Sequence, residues 1–497
     1  MYDDSTLAGW RVAVVTTPQD NAARPINAET YRGLPTLAGL CSLADAARPG
    51  LSVEECVRRL KRYHYAFKRL HQVFTARITA EPIYELKTAF SHHAYLCADH
   101  TAAVATRVGE LREPPLGLDD VPDANLAVFF DEILAAANTP ELVVGLYEKA
   151  LPALTYALSK HVADANPLFD APSVRLCRFA LLELDDLNAF GEQAVAALVD
   201  EPASAAMGDW PAFLDACLDA AGGIDGTGDI APAPLPRRRS ANPPAYDAVP
   251  RRDERFIDSY NAGVNAEAFL YDPRYPARAK TLMMFYKRLR EIDVPEMMAS
   301  IIHETRGKPW DYYLEMSRQL WDEARHAMMG QVGFVAHGLD WTRIPINFTW
   351  SLNLNTQISA IERHAVLFFI EQGLMPRTGK RFEWEVATAS GDALAARIQD
   401  YDWADEVLHS QIGRRWYVTQ MPNLAEALRY GDECWTKIVS HWHRYFAEGK
   451  TQHRNWWPEL YRAACERWRT EPEAAALAFA ETYEAKRADL QELPVSG

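Results

Sequence analysis

Paired cysteines are missing from this chain. Its seven cysteines, at 41, 56, 97, 177, 217, 434 and 465, include no Cys-x-x-Cys. That excludes a cysteine zinc site, speaks against a disulfide frame and suits reduced thiols. Long apolar runs are missing too: no stretch approaches the ~18 uncharged apolar residues of a membrane span. The opening MYDDSTLAGW has neither the basic nor the apolar region of a secretory signal. The expectation is a cytoplasmic protein with no membrane partner. Positive charge is in deficit, with 52 Lys and Arg against 68 Asp and Glu and a formal net charge of −16. A nucleic-acid partner is therefore not expected. No Gly-rich dinucleotide fingerprint occurs, so any redox chemistry would draw electrons from a separate reductase. Period-two alternation is nearly absent, apart from one strand-like run, WRVAVVTTP.

What the chain does have is helix. With 497 residues it is long enough for several domains and a substantial core. Residues 1–221 carry a succession of three- and four-residue apolar steps and read as a mostly α-helical N-terminal domain. Residues 222–255 are dense in Gly, Pro and Arg and read as a linker with a solvated surface. Residues 256–497 hold four strong helical runs, of which the first is ARAKTLMMFYKRLREIDVPEMMASIIHET, followed by further helices rich in Trp, His and Arg. The fold class is all-α.

Two of the four runs repeat one motif. WDEARHA places Asp322, Glu323 and His326 at the same spacing as Asp405, Glu406 and His409 in ADEVLHS. Residues three apart share a helix face, so each Glu projects with its His. Glu323 continues the apolar stripe Tyr312/Tyr313, Met316, Leu320, Ala327, where an unpaired carboxylate would be costly and a metal ion would compensate. One Glu-x-x-His recurs by chance. Two copies on separate helices of a four-helix run match the carboxylate-bridged dinuclear site, which takes one further Glu from each of the other helices.

For those single glutamates the sequence leaves choices. On the first run Glu296 continues the stripe Leu282, Phe285, Leu289, Ile292, and it is preferred over Glu291, which lies about 140° around the helix beside Arg288. On the third run Glu362 is flanked by Ile358, Ala365 and Phe369, and Glu371 lies near a helix end. The local pattern favours Glu362. His303 and His364 read as core groups, and Tyr312, Tyr313 and Trp321 as packing. His441, His443 and His453 lack partner carboxylates at useful spacing. The N-terminal half, with His92, His93, Asp99, His100 and Glu183, has no Glu-x-x-His. It reads as a relic bundle expected to be metal-free, shaping an entrance or an interface.

The sequence resembles the ferritin-like superfamily of carboxylate-bridged di-iron proteins over about residues 256–420. Within it, the chain is similar to an uncharacterised bacterial group through PEMMAS, RIPINFTW, IEQGLMP and GDALAARIQDYDWADEVLHSQIGRRW. The resemblance implies a C-terminal ferritin-like four-helix bundle with extra helices. It moves the third-helix ligand to Glu371, against the local pattern. The implied ligand set is Glu296, Glu323, His326, Glu371, Glu406 and His409, holding two iron ions or a manganese–iron pair. It also implies that Asp405 orients His326 and that Asp322 orients His409. The first motif reads DEARH and the second DEVLH, so an ion pair made by Arg325 has no symmetric counterpart. The expected function is an O2-activating oxidase or oxygenase acting on a small or carrier-bound metabolite, with a homodimer compatible. The alternatives are a non-catalytic metal-binding protein in storage, detoxification or sensing, or a structural bundle.

Overall fold

A computed structural model describes residues 30, 32–242, 244–439 and 443–482. The run WRVAVVTTP and His441 lie outside them. The described residues are helical, with no strand among them. In the N-terminal half the longer helices are α1 (Val53–Ile78), α2 (Tyr84–Leu111), α3 (Ala124–Leu134), α4 (Leu151–Asp164), α5 (Ala171–Leu198) and α6 (Trp210–Ala220). The C-terminal half contributes α7 (Ala277–Arg290), α8 (Asp293–Glu304), α9 (Trp310–Ala336), α10 (Thr349–Gln357), α11 (Ala360–Gly373), α12 (Lys380–Ala389), α13 (Ala393–Trp416), α14 (Leu424–Val439) and α15 (Trp457–Trp468).

Local chemistry sets several of these boundaries. Ser52 accepts from the Glu55 backbone at the start of α1, and Asp392 accepts from the Leu394 and Ala395 backbones at the start of α13. At the start of α11, Glu362 accepts from the Ser359 backbone at 2.9 Å and from its hydroxyl at 2.8 Å. The run expected as one helix from 277 to 305 is broken at Glu291 and Ile292. The cause is Pro295, which has no N–H for the Glu291 carbonyl and whose ring would collide with it. The Glu291 carbonyl instead accepts from Val294 at 3.0 Å.

The site-bearing helices pack in succession, α7 against α9, α9 against α13 and α13 against α11, and α11 also packs against α8. Glycines allow the closest approaches. A Cβ on Gly330 of α9 would lie 2.2 Å from the Leu289 backbone nitrogen, and one on Gly413 of α13 would lie 2.4 Å from the Phe368 ring.

The two halves share one core. A single buried apolar cluster runs from Leu60, Phe74 and Leu146 to Met297, Met316, Val366 and Ile412. Helix α9 lies along α2, and α8 lies along α1. His71 bonds Ser317 at 2.8 Å, Trp310 donates to the Ala98 carbonyl at 2.9 Å, and His92 stacks on Trp321. The described residues of 222–255 touch this body at several points, although more than half of them are exposed. Arg62 donates to the carbonyls of Ala221, Gly223 and Ile224, and the buried Glu132 accepts from the backbones of Arg238, Arg239 and Ser240. Near the end of the stretch, the Arg252 side chain is 1% exposed. Gly and Pro in this stretch serve turns that fit a surface; they do not make a free tether.

Candidate metal centre

Four helices send carboxylates and imidazoles to one buried place. Glu291 comes from the end of α7, Glu323 and His326 from α9, Glu371 from α11, and Asp402, Glu406 and His409 from α13. His409 Nδ1 lies 3.1 Å from Glu323 Oε1, 3.3 Å from Glu406 Oε2 and 4.0 Å from Glu371 Oε1. His326 Nδ1 lies 3.6 Å from Glu323 Oε2, 3.5 Å from Glu291 Oε2 and 3.6 Å from Asp402 Oδ1. The two oxygens of Glu323 therefore face different imidazoles, and the ring centres are 5.8 Å apart. Ligand-type atoms fall into overlapping groups: Glu323, Glu371, Glu406 and His409; Glu291, Glu323 and His326; and His326, Asp402 and Glu406. Glu323 and Glu406 belong to both sides.

The atoms that face inward face one another: Glu291 Oε2, Glu323 Oε1, Glu406 Oε2, His326 Nδ1 and His409 Nδ1 are all buried, with no hydrogen-bond partner outside the cluster. Ligand-type atoms gathered in this way either share protons or suit a bound cation. The outer nitrogens are satisfied in a crossed pattern. His326 Nε2 lies 3.1 Å from Asp405 and His409 Nε2 lies 3.4 Å from Asp322, so each motif's aspartate serves the other motif's histidine. Arg325 reaches both aspartates, 2.8 Å from Asp405 and in direct contact with Asp322. Asp322 also takes Arg318 at 3.0 Å. The donor set, carboxylate oxygens with imidazole nitrogens fixed from behind, suits divalent iron or manganese.

Without a metal, the protons arrange themselves around this charge. Burial alone would hold His326 uncharged, but Asp405, Glu291 and Glu323 outweigh it and raise the imidazole to about 10. His409 is likewise raised well above its ordinary value by Asp322, Glu323 and Glu406 against the effect of burial. Burial pushes Glu371 well above the usual carboxylate range, and neighbouring Glu406 pushes it the same way. Glu291 moves oppositely, to about 2, because Arg288 and Lys380 overcome its burial.

The glutamate expected from the first run is elsewhere. Glu296 is buried against cations: Arg252 at 3.0 Å and Lys87 at 3.0 Å, with the Ser351 hydroxyl donating at 2.9 Å. The break at Pro295 rotates α8 relative to α7, so the stripe that selected Glu296 does not continue across it. Glu291 takes the place in the cluster. Glu371 is in the cluster and accepts from the Gln319 amide at 3.1 Å. Glu362, by contrast, is spent on capping α11 and on Lys437 at 2.9 Å. The Ser-x-x-Glu spacing of Ser359 and Glu362 carried that signal. Sequence reasoning missed Asp402, whose place one helical turn before Glu406 was legible, and Lys380, whose place was not.

The other singled-out residues are packing groups. His303 stacks on Tyr246, His364 sits against the rings of Tyr312 and Tyr417, and Tyr313 donates to the Thr305 carbonyl. In the N-terminal half His100 lies 2.6 Å from Glu183, and His93 bonds the Tyr147 hydroxyl at 2.9 Å. Cys56, His161 and Asp170 also approach one another there. There the Cys56 thiol donates to Asp170 at 2.9 Å, and Arg107 holds the other oxygen at 2.8 Å. Burial and Asp170 push the Cys56 thiol up to about 12.

A cavity of about 150 Å³ reaches the cluster. Its walls combine Glu291, Glu323, Glu371 and Glu406 with Val294, Trp350, Leu367 and Trp435. Comparison with family models, with curated proteins and with solved structures finds no match for this chain.

Proposed function

We propose that the protein holds two divalent transition-metal ions, iron or a manganese–iron pair, in a ferritin-like arrangement of four helices, and is an O2-activating oxidase or oxygenase. The observation that carries this reading is the convergence of five buried ligand atoms from α7, α9 and α13, none with a hydrogen-bond partner outside the cluster. Glu291, Glu323, His326, Glu371, Glu406 and His409 would hold the ions, with Asp402 beside them. A bound metal pair supplies the redox chemistry for reducing O2. The chain itself contributes position and exclusion of water. Asp322 and Asp405 keep both imidazoles turned inward, and the helices enclose the carboxylates. The cavity favours an enzyme over a storage protein, because its apolar wall stands next to the ligand atoms. A cavity of about 150 Å³ has room for a molecule of about benzene size, so the substrate is a small metabolite, or a carrier-bound one whose reactive end is that small. Electrons beyond those the substrate gives would come from a separate reductase.

Metal analysis of the full chain after anaerobic iron or manganese loading tests this. About two ions per chain, with loss in both Glu323→Ala and His409→Ala, is the expected result. O2 consumption by the loaded protein then discriminates oxidase from storage chemistry. Absence of bound metal after loading overturns the reading.

A further inference from the structure

The two sides of the cluster are not equivalent. Lys380 opens α12, outside the four site-bearing helices, and its side chain is 0% exposed. Its Nζ lies 2.8 Å from Glu406 Oε1, 2.9 Å from Asp402 Oδ1 and 3.9 Å from Glu291 Oε1. Arg288 joins it, 2.8 Å from Glu291 Oε1 and in direct contact with Asp402. Both cations stand on the His326 side. On the His409 side, Glu371 is met by the neutral Gln319 amide, and Glu323 Oε1 and Glu406 Oε2 face the His409 imidazole at 3.1 and 3.3 Å. Glu406 is divided between the two sides. Its Oε2 faces His409, and its Oε1, the oxygen turned away from His409, is held by Lys380.

We propose that the two metal positions fill unequally, with the ammonium of Lys380 acting as a resident counter-cation at the second. The position made by Glu323, Glu371, Glu406 and His409 takes a divalent ion first. The position made by Glu291, Glu323, His326 and Asp402 takes its ion only when Lys380 gives up Glu406 Oε1 and Asp402. The physical reason is competition for the same oxygens. In a water-poor site an ammonium about 4 Å from a divalent ion is strongly repelled, so it must move or lower that ion's affinity. Asp402 completes the device, since a carboxylate there keeps Lys380 in place. The proposal rests on the reading that this cluster binds metal.

Anaerobic titration of the full chain with Mn2+, followed by calorimetry and by electron paramagnetic resonance, tests it. The wild type should show two steps whose Kd values differ by roughly 100-fold, the scale expected of a partly screened like-charge neighbour. At one equivalent its spectrum should be that of isolated Mn2+, with spin coupling appearing only as the second equivalent binds. Lys380→Met should bring the two steps to within about tenfold, and Lys380→Arg should keep them apart. Glu371→Gln should remove the tight step and leave the weak one. Circular dichroism monitors folding, and if Lys380→Met fails to fold, the wild-type spectrum and Glu371→Gln still decide. Coupled Mn2+ at half occupancy, or a split unchanged in folded Lys380→Met, overturns unequal filling while leaving the metal site standing. No Mn2+ binding at all overturns the metal-site reading itself.

Discussion

Glu291 and Glu296 are five residues apart, and the fold gives them opposite surroundings. Glu296 has two buried cations and a hydroxyl within 3.0 Å. Glu291 gives one oxygen to Arg288 at 2.8 Å and turns the other toward His326. Substitution should separate the roles. Glu291→Ala should lower metal content, and it should also destabilise the metal-free chain, though by less than Glu296→Ala, because buried Arg288 loses Glu291 but keeps Asp402. Glu296→Ala should keep the metal-binding groups in place. It should nevertheless destabilise the fold by about 3–5 kcal/mol, because Lys87 and Arg252 lose the partner that compensates their burial. Metal analysis and thermal unfolding on both variants check this. Metal loss on Glu296→Ala with Glu291→Ala fully loaded would reverse the assignment. The error in reading Glu296 from sequence has a definite origin. Helical phase was carried across Pro295, although a proline removes the bond to the residue four before it, which here is Glu291 itself. The paired motifs lie within unbroken helices and their places were legible, whereas the crossed aspartates and Glu371 came from the resemblance, Glu371 against the local pattern. Lys380 was not, because its approach to Glu406 and Asp402 is set by how α12 folds back on α13, and no spacing along the chain encodes that.

Among the helices, glycine decides how closely the site can be drawn together. In a solvated helix Gly→Ala gains about 1 kcal/mol. At Gly330 the sign should reverse, since the new Cβ would sit 2.2 Å from the Leu289 backbone, which cannot swing aside. Separation of α7 from α9 would follow, at a cost of about 1–3 kcal/mol. It would also move Glu291 away from Glu323 and His326. Gly330→Ala is therefore expected to lower the melting temperature and to weaken metal binding together, whereas Gly391→Ala, with no atom within 4 Å but a φ of +76°, should cost stability alone. Parallel melting curves and metal titrations test the pair. Helix existence and approximate limits followed from periodicity and caps, as at Asp392. The partners of each helix did not, because an apolar stripe states that a face is covered and not by what. That is also why the Gly- and Arg-rich stretch 222–255 reads as a tether, although Arg252 is buried against Glu296.

At the scale of the whole molecule, one apolar cluster spans both halves and encloses histidines that the fold keeps uncharged. Burial lowers His64 and His364 to about 4 and His71 and His93 to about 3, with Lys68, Lys308 and His92 adding to the effect beside His64, His364 and His93. In the unfolded chain each takes up a proton near its ordinary value of 6.5. Between about 6.5 and 4 the unfolded state therefore binds more protons, and stability falls as pH falls. Each such group contributes about 1.4 kcal/mol per pH unit across its window. Asp293, raised to about 7 by burial and Glu296 against the pull of Arg252, works in the other direction, as do Glu81 and Glu371, but the lowered histidines, His303 among them, outnumber these groups. The chain should lose stability on acidification from pH 6.5, well before its paired carboxylates titrate. His364 offers a clean test because its contacts are the rings of Tyr312 and Tyr417. His364→Phe should leave the metal ligands untouched and make the decline between pH 6.5 and 4 shallower by about one proton's worth. Denaturant unfolding at a series of pH values measures that slope directly. An unchanged slope would mean that His364 is already charged in the folded protein, or opens to water before the fold gives way. His71 lies on α1 against Ser317 of α9, so its protonation acts where the two halves meet. Acid should for that reason loosen the N-terminal and C-terminal helices in one transition, not two.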